Sequence, residues 1–585
     1  MPQRSRLFAS VAFALPLVAF LLVEGALRLA GVGAERRDPF VSIPGEGEAV
    51  ALAPEFGAQF FRGFTPGVAF DPVASEKAPG TLRVFALGGS TTAGFPYSFP
   101  YSFPSRLEDR LATALPGHRV EVANLGMTAT NSFTVRALAE PVVEMEPDAV
   151  VIYAGHNEFY GAYGVGGTQG VSGGLGVKRF VIGASRWALV TWLGELVQSE
   201  EPVSESRTLM ARVVRDATIG RGGDVYRAGI KQYEANLRDA LETFDRAGVP
   251  VYIATLASNL SGQPPLGDEP AATTAYTRGR TLLAQGDSIA ARAAFLEAKE
   301  IDGLRFRAPE AVNEVVRRLA EEFRTVTLVD VQAHLRMASP GGVEGDSLFT
   351  DHLHLSALGY ALVADAFAEA MLDYHPALRG ALAPEPSPSA VDAVEAGIVR
   401  LQLAALTEGY PFRKDRTPEE ARAAARAVAA RMIDAGGPES LAARVVLEGL
   451  PQVRALDLVR LEARSQADTL VALRADWALL HWQPFNRSLM ESAIGYALAN
   501  PRFDAETAAL ARFAAAHDGS LFSLNALAAV SLRTGDLARA ERLLDSVEQA
   551  APDSPEMLFN QARLAVLRGD TLRAQNYFER YRAVD

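Results

Sequence analysis

The sequence contains no cysteine. That excludes disulfide staples, thiolate nucleophiles, Cys-ligated zinc and lipid attachment through cysteine. It leaves the redox compartment open, because a cysteine-free chain can live anywhere. A basic stripe is also missing: 57 Lys and Arg stand against 70 Asp and Glu, a net charge of −13. A phosphate-backbone binder needs concentrated positive charge, so nucleic acid is not an expected partner. Disorder is excluded too, since 49% of the 585 residues are apolar and 22% charged, an ordinary globular balance. Long apolar runs are scarce. The one that reaches membrane-spanning length runs from Leu7 to Val23, after Arg4 and Arg6. Glu24 and Arg28 interrupt its far end and Gly31 closes it. With those two side chains snorkelling, the run matches one bilayer crossing. Phe180 to Val197 comes next but carries Arg186 and Glu195.

The expectation for 1–34 is therefore an uncleaved signal anchor, with the bulk of the chain exported to a periplasmic or extracytoplasmic space. Cleavage near the small residues Val32-Gly33-Ala34 is the rival. The stretch 35–80 is rich in Pro, Gly and Phe with no period, and reads as a tether and wrapping segment. From Thr81 strand and helix signals alternate. Strand-like runs fall at Arg83–Leu87, Arg119–Asn124, Ala149–Ala154, Val249–Leu256 and Val326–Val331. Helical patterns follow at Ser105–Leu115, Ser132–Met145, Ile230–Ala247, Pro309–Phe323 and Ala357–Tyr374. Such alternation predicts an α/β domain over 81–380: a parallel sheet in flavodoxin-like order 2-1-3-4-5, with helices on both faces. Insertions near 161–226 and 268–302 break the rhythm. After the Pro/Ser hinge at Pro384 to Pro388, 389–585 reads as an all-α domain.

That domain ends in a repeat. Gly535-Asp536 recurs as Gly569-Asp570, an offset of 569 − 535 = 34. Ala528, Ala540 and Leu544 map to Ala562, Ala574 and Phe578 at the same offset. The insertion at Thr274–Asp302 carries a like pattern in Gly279, Gly286-Asp287, Ala291 and Phe295. Small residues let two antiparallel helices approach, and Gly-Asp makes the turn. This resembles the tetratricopeptide repeat over about two terminal units plus the inserted one. Any helical-hairpin array is the plainer reading.

Chemistry concentrates at the strand ends. The first strand ends in Gly88-Gly89-Ser90, the second in Asn124-Leu125-Gly126, the third in Gly155-His156-Asn157-Glu158. Ligands on open parallel sheets bind at the carboxyl ends of strands. In a 2-1-3 order Ser90 is flanked by Gly126 and Asn157, so a hydroxyl sits between a bare backbone N–H and a side-chain amide. Acyl transfer requires that set: a nucleophile, and donors waiting where the oxyanion forms. A base is supplied by Thr350-Asp351-His352-Leu353-His354, where an Asp three residues before a His can orient the imidazole.

The set Gly89-Ser90, Gly126, Gly155-x-Asn157 and Asp351-x-x-His354, each after a strand, resembles the SGNH (GDSL-type) hydrolases over about Thr81–Tyr374. The resemblance implies Ser90 as nucleophile, His354 as base and Asp351 as its orienter. Ser90 N–H, Gly126 N–H and the Asn157 amide would form the oxyanion hole. One departure is that the first block reads Gly-Gly-Ser-Thr rather than Gly-Asp-Ser-Leu, a variation of membrane-anchored relatives. Together with the repeats and the anchor, it resembles a bacterial envelope subgroup.

Other readings remain. Ser90 can be a helix cap, Gly126 a plain turn glycine, and Asn157 a residue bonding its own loop. Asp351, His352 and His354 carry donors that suit divalent ions, but no further histidine clusters with them, and neither metal nor cofactor is expected. His156 and Glu158 can simply pack or pair. Asn259, Arg305 and Arg307 are pocket-lining candidates, with surface or salt-bridging roles as their alternative. Gly170-Val171-Ser172-Gly173-Gly174 matches a Gly-x-Ser-x-Gly elbow, but it lies in a glycine-rich loop without the strand and helix that elbow needs. The expected function is a serine esterase acting on an acyl or acetyl ester of an envelope glycan or lipid. The alternatives are an O-acyltransferase using the same residues, and a scaffold whose repeats bind a protein partner beside an inert α/β domain.

Overall fold

The structure is a computed structural model. It describes residues 2–34, 38–43, 49–61, 65–115, 118–168, 173–197, 210, 214–215, 218–373, 390–517 and 520–584. Three short strands come first: β1 (Phe40–Ser42), β2 (Ala49–Leu52) and β3 (Val73–Ala74), forming a small antiparallel sheet. Five more form the main sheet: β4 (Thr81–Gly88), β5 (Arg119–Asn124), β6 (Ala149–Tyr153), β7 (Val251–Ala254) and β8 (Val326–Val329). Their order is β5-β4-β6-β7-β8, all parallel. That is the 2-1-3-4-5 order expected from sequence. The central strands are apolar along their whole length, as helices on both faces demand; Val84 to Leu87 and Val150 to Ile152 are fully buried.

The crossover helices are Phe103–Ala114, Ser132–Glu144, Asp224–Ala247 and Glu310–Glu322, and Ala357–Leu372 packs on the sheet after its last strand. Three use side-chain or glycine caps that the sequence spells out. Asn131 accepts the Phe133 N–H, Ser356 accepts the Gly359 N–H, and Gly248 closes its helix in the left-handed region. Before the main sheet, the segment read as a tether and wrapping segment packs on the α/β domain. Phe56 and Phe60 join the core, Val68 bridges Met127, and Asp71 accepts the Asn124 N–H at 2.8 Å. Strands of two to four residues have too few alternations to be read as periodic.

The N-terminal helix spans Pro2–Leu29. Glu24 does not snorkel. It is buried, and its carboxylate accepts the N–H groups of Ala188 and Leu189 at 3.0 and 2.9 Å, capping the helix Ala188–Val197. Phe20 packs on Trp187 at 4.8 Å. Among the described residues no helix is long and apolar enough to cross a membrane. The Pro384 to Pro388 hinge and Ser172 lie outside the described residues.

From Ala393 onward the described chain is helical. The last four helices begin at Leu521, Leu537, Pro555 and Thr571, so each of the final pair starts 34 residues after its counterpart (555 − 521 and 571 − 537). Asp536 and Asp570 cap the second helix of each pair, after glycines at φ +82° and +77°. The inserted pair Pro270–Ala284 and Ser288–Ile301 turns the same way through Gly286 at φ +84°. A Cβ on Gly279 would come within 2.8 Å of the Phe295 ring, which is why a glycine stands there.

The helical part is bolted to the sheet. The Tyr101 hydroxyl donates to Asp392 at 2.6 Å, and the Ser98 hydroxyl donates to Glu395 at 2.8 Å. Rings of Trp477, His481, Phe513 and His517 form a row at 4.0 to 4.3 Å spacing, the last pair stacked, that ends at Glu108. Burial alone would lower the His517 pKa, but the charge and hydrogen bond of Glu108 3.4 Å away, with the Phe513 carbonyl and Glu121, together outweigh it and raise the imidazole to about 9. A raised histidine contributes stability in full below its unfolded value of ~6.5 and loses it as pH climbs through about 9. His517→Gln is thus expected to destabilise the protein by ~3 kcal/mol at pH 6. The difference from wild type should shrink at pH 10, as read by urea unfolding at both pH values.

Candidate active site

Ser90 opens the four-residue helix Ser90–Ala93 directly beyond β4. That helix is clamped from both neighbouring strands. The Thr92 hydroxyl donates to the Tyr153 carbonyl at 3.0 Å, and the Asn124 amide donates to the Thr92 carbonyl at 2.8 Å. Gly88 makes room for the first contact, since a Cβ there would lie 2.0 Å from Thr92 Oγ1. The serine is therefore held by the sheet itself rather than by a free loop.

After β8 the chain returns to the same end of the sheet. Asp351 Oδ1 accepts the N–H groups of Leu353 and His354 at 2.9 and 2.8 Å, closing a tight turn. Its Oδ2 lies 2.6 Å from His354 Nδ1, and His354 Nε2 lies 2.8 Å from Ser90 Oγ. Ser90, His354 and Asp351 thus form one continuous hydrogen-bonded chain. Burial would push the Asp351 carboxyl up, but the neighbouring imidazoles of His354 and His352 hold it well below the usual carboxylate range. His352 Nδ1 sits 3.2 Å from Asp351 Oδ1 without the alignment of a hydrogen bond. Donor atoms of Asp351, His352 and His354 lie within 4.8 Å of one another, as a metal site would need. Asp351 and His354 already use theirs on each other and on Ser90.

A cavity of about 360 Å³ opens on Ser90 and His354. Asn157 lines it, with its amide beside Gly89: a Cβ on that glycine would meet Asn157 Nδ2 at 3.3 Å. Gly126 does not line it, contrary to expectation. Its N–H donates to Asn124 Oδ1 at 2.9 Å, and a Cβ there would lie 2.2 Å from the Ala93 nitrogen. Gly126 is a glycine because the serine helix presses on it. The residues that line the cavity from this loop are Thr128 and Ala129, the latter at a φ of +58° that is unusual for a non-glycine. The Ala129 N–H has no acceptor among the described residues, and Ser90 N–H is the unpaired first donor of its helix.

The other candidates fall behind this front. His156 is buried, accepts the Ala308 N–H through Nδ1, and is lowered to about 3, chiefly by burial. Glu158 lies beneath the loop, bonded to Ser132 and Gln232, and burial raises it to about 7. Asn259 donates to the Asp351 carbonyl, and Arg307 donates to the Asn259 carbonyl, so both brace the histidine loop without lining the cavity. Arg305 is likewise buried, donating to the Ile219 and Glu300 carbonyls. Phe306, between those arginines, does line the cavity, as do Phe95, Tyr160, Met210 and Leu406. No sequence signal marked these apolar residues, which converge from distant segments.

The model of the GDSL-like Lipase/Acylhydrolase family matches residues 86–362. Over those residues the chain is similar to GDSL-type hydrolases, and it is a hydrolase of ester bonds. No curated protein matches. Similar solved structures include a GDSL-like lipase from Bacteroides thetaiotaomicron, at 12% identity over 52% of this chain and 93% of that one, with a TM-score of 0.27. An acetylxylan esterase from Geobacillus stearothermophilus is similar at 16% identity, over 51% and 96%, with a TM-score of 0.27. A lipase/acylhydrolase from Enterococcus faecalis is similar at 16% identity, over 52% and 98%, with a TM-score of 0.26.

The clamp on the serine helix is testable. Gly126→Ala is expected to cost about 1–3 kcal/mol, because the added methyl overlaps backbone that cannot yield. Urea unfolding measures it; a stability equal to wild type would contradict the clamp.

Proposed function

We propose that the protein is a serine esterase in which Ser90 is the nucleophile, His354 the general base and Asp351 its orienter. The observation that carries this is the unbroken Ser90–His354–Asp351 hydrogen-bond chain at the mouth of a cavity. Ser90 Oγ attacks the ester carbonyl while His354 Nε2 takes its proton. Asp351, held ionised, stabilises the imidazolium that forms. The oxyanion takes hydrogen bonds from Ser90 N–H, Asn157 Nδ2 and Ala129 N–H. Collapse expels the alcohol, which receives the proton from His354. Water then repeats the sequence on the acyl-enzyme and frees the acid. A sugar hydroxyl in place of water would make the same site an acyltransferase.

The N-terminal helix is read as a membrane anchor. Its support is the Leu7 to Val23 run and the exposure of Leu15, Leu17, Leu21 and Leu22 on that helix. The esterase would then act on an ester of the cell envelope, with the terminal helix pairs offering a tetratricopeptide-like surface to a protein partner. Carbonate-washed membranes should retain the full chain; recovery in the soluble fraction would contradict the anchor.

Ser90→Ala is expected to abolish hydrolysis of p-nitrophenyl esters, and Asp351→Asn to lower kcat by ~10³-fold or more. Steady-state kinetics on the two variants checks both. Undiminished turnover by Ser90→Ala would end the proposal.

A further inference from the structure

The cavity at Ser90 is more than an opening to solvent. Beyond Ser90, His352, His354, Thr128, Asn157 and Gln402, its walls are almost wholly apolar. A sugar ring in such a space would lose hydrogen bonds to water without replacement, which is costly. An alkyl chain would lose nothing and gain burial. The volume of about 360 Å³ also far exceeds an acetyl group. At ~30 Å³ per methylene-sized unit, close to the share of a water molecule, it holds roughly a dozen such units.

One wall comes from outside the hydrolase domain. The helix Ala393–Thr407 is the first of the helical part, and it places Gln402, Ala405 and Leu406 on the cavity. Leu406, Tyr410 and Phe412 also pack on the apolar cluster that contains Tyr160, Met210 and Phe306. The position of that helix is fixed at its other end. Asp392 caps it and bonds Tyr101, while Glu395 accepts from Ser98 and Gln452. Ser98 and Tyr101 follow the serine helix by a few residues. The wall and the nucleophile are therefore held in one frame.

We infer that this cavity is an acyl-chain site built jointly by the two parts of the molecule, selecting esters of medium-length fatty acids, with Leu406 and Ala405 setting the chain length. The inference rests on the esterase reading and narrows it: the alcohol part lies toward solvent and the alkyl tail lies under the helix Ala393–Thr407. The helical part is then a component of substrate recognition as well as a surface for partners.

The test is a series of p-nitrophenyl esters from acetate through octanoate to palmitate, with the full-length protein in detergent. The ratio of kcat/KM for octanoate over acetate is expected to be tenfold or more, with palmitate falling back because its tail overruns the cavity. Leu406→Trp and Ala405→Trp fill the far wall and should each lower the octanoate-to-acetate ratio at least tenfold. Leu406→Ala should move the optimum toward longer chains. The ratio is read within each variant, so a loss of folded protein cancels. Acetate preferred over octanoate, or a ratio unchanged in both Trp variants, would overturn the acyl-chain site while leaving the esterase standing. Hydrolysis that survives Ser90→Ala would instead remove the esterase reading beneath it.

Discussion

Everything at the active site depends on one hydrogen bond between residues 264 apart in sequence, Ser90 Oγ to His354 Nε2. Neither partner is positioned by its own loop alone. Ser90 is fixed by the clamp of Thr92 and Asn124 on β6 and β5, and His354 by the turn closed on Asp351 Oδ1. Asn259 and Arg307 hold that turn from behind. A parallel sheet makes this convergence natural, because all five strands deliver their ends to one edge. On the proposed reading this is preorganisation: the donors and the base are in place before substrate arrives.

The helical part belongs to this frame. Its first helix is joined through Asp392 and Glu395 to Tyr101 and Ser98, just downstream of Ser90. Its row of rings from Trp477 to His517 ends against Glu108 on the helix that follows. Burial, with the charge of Asp392, raises Glu395 to about 7. A carboxyl raised in the folded state contributes stability in full below its ordinary value of ~4.5 and loses it as pH climbs toward about 7, so the joint is firmest in acid. The coupling between the parts is thus electrostatic as well as apolar.

Much of this was legible in the sequence, and for identifiable reasons. Strands buried on both faces read as short apolar runs, so the five strands and their order could be anticipated. Ser90 and Asn157 sat just past strand ends, where polar residues after apolar runs attract attention, and Asp351 and His354 stood out by their spacing in the loop before the helix Ala357–Leu372. Gly126 was legible as a glycine but not in its purpose: spacing cannot distinguish a free N–H from backbone pressed against a helix. Ala129 escaped notice because alanine carries no chemical signal, and only its positive φ marks it. The cavity wall was invisible for a different reason, since Met210, Phe306 and Leu406 meet only after three segments fold together. The buried role of Glu24 could not be foreseen either, because its partner helix is 164 residues away.

The central claim is that one serine among many is activated. Labelling with a fluorophosphonate, followed by peptide mapping, examines that directly, because the reagent forms a stable adduct only where a base has primed the hydroxyl. The account predicts a single adduct on Ser90, lost in His354→Ala. An adduct on Ser172 or any other serine, or no adduct at all on folded protein, would contradict it.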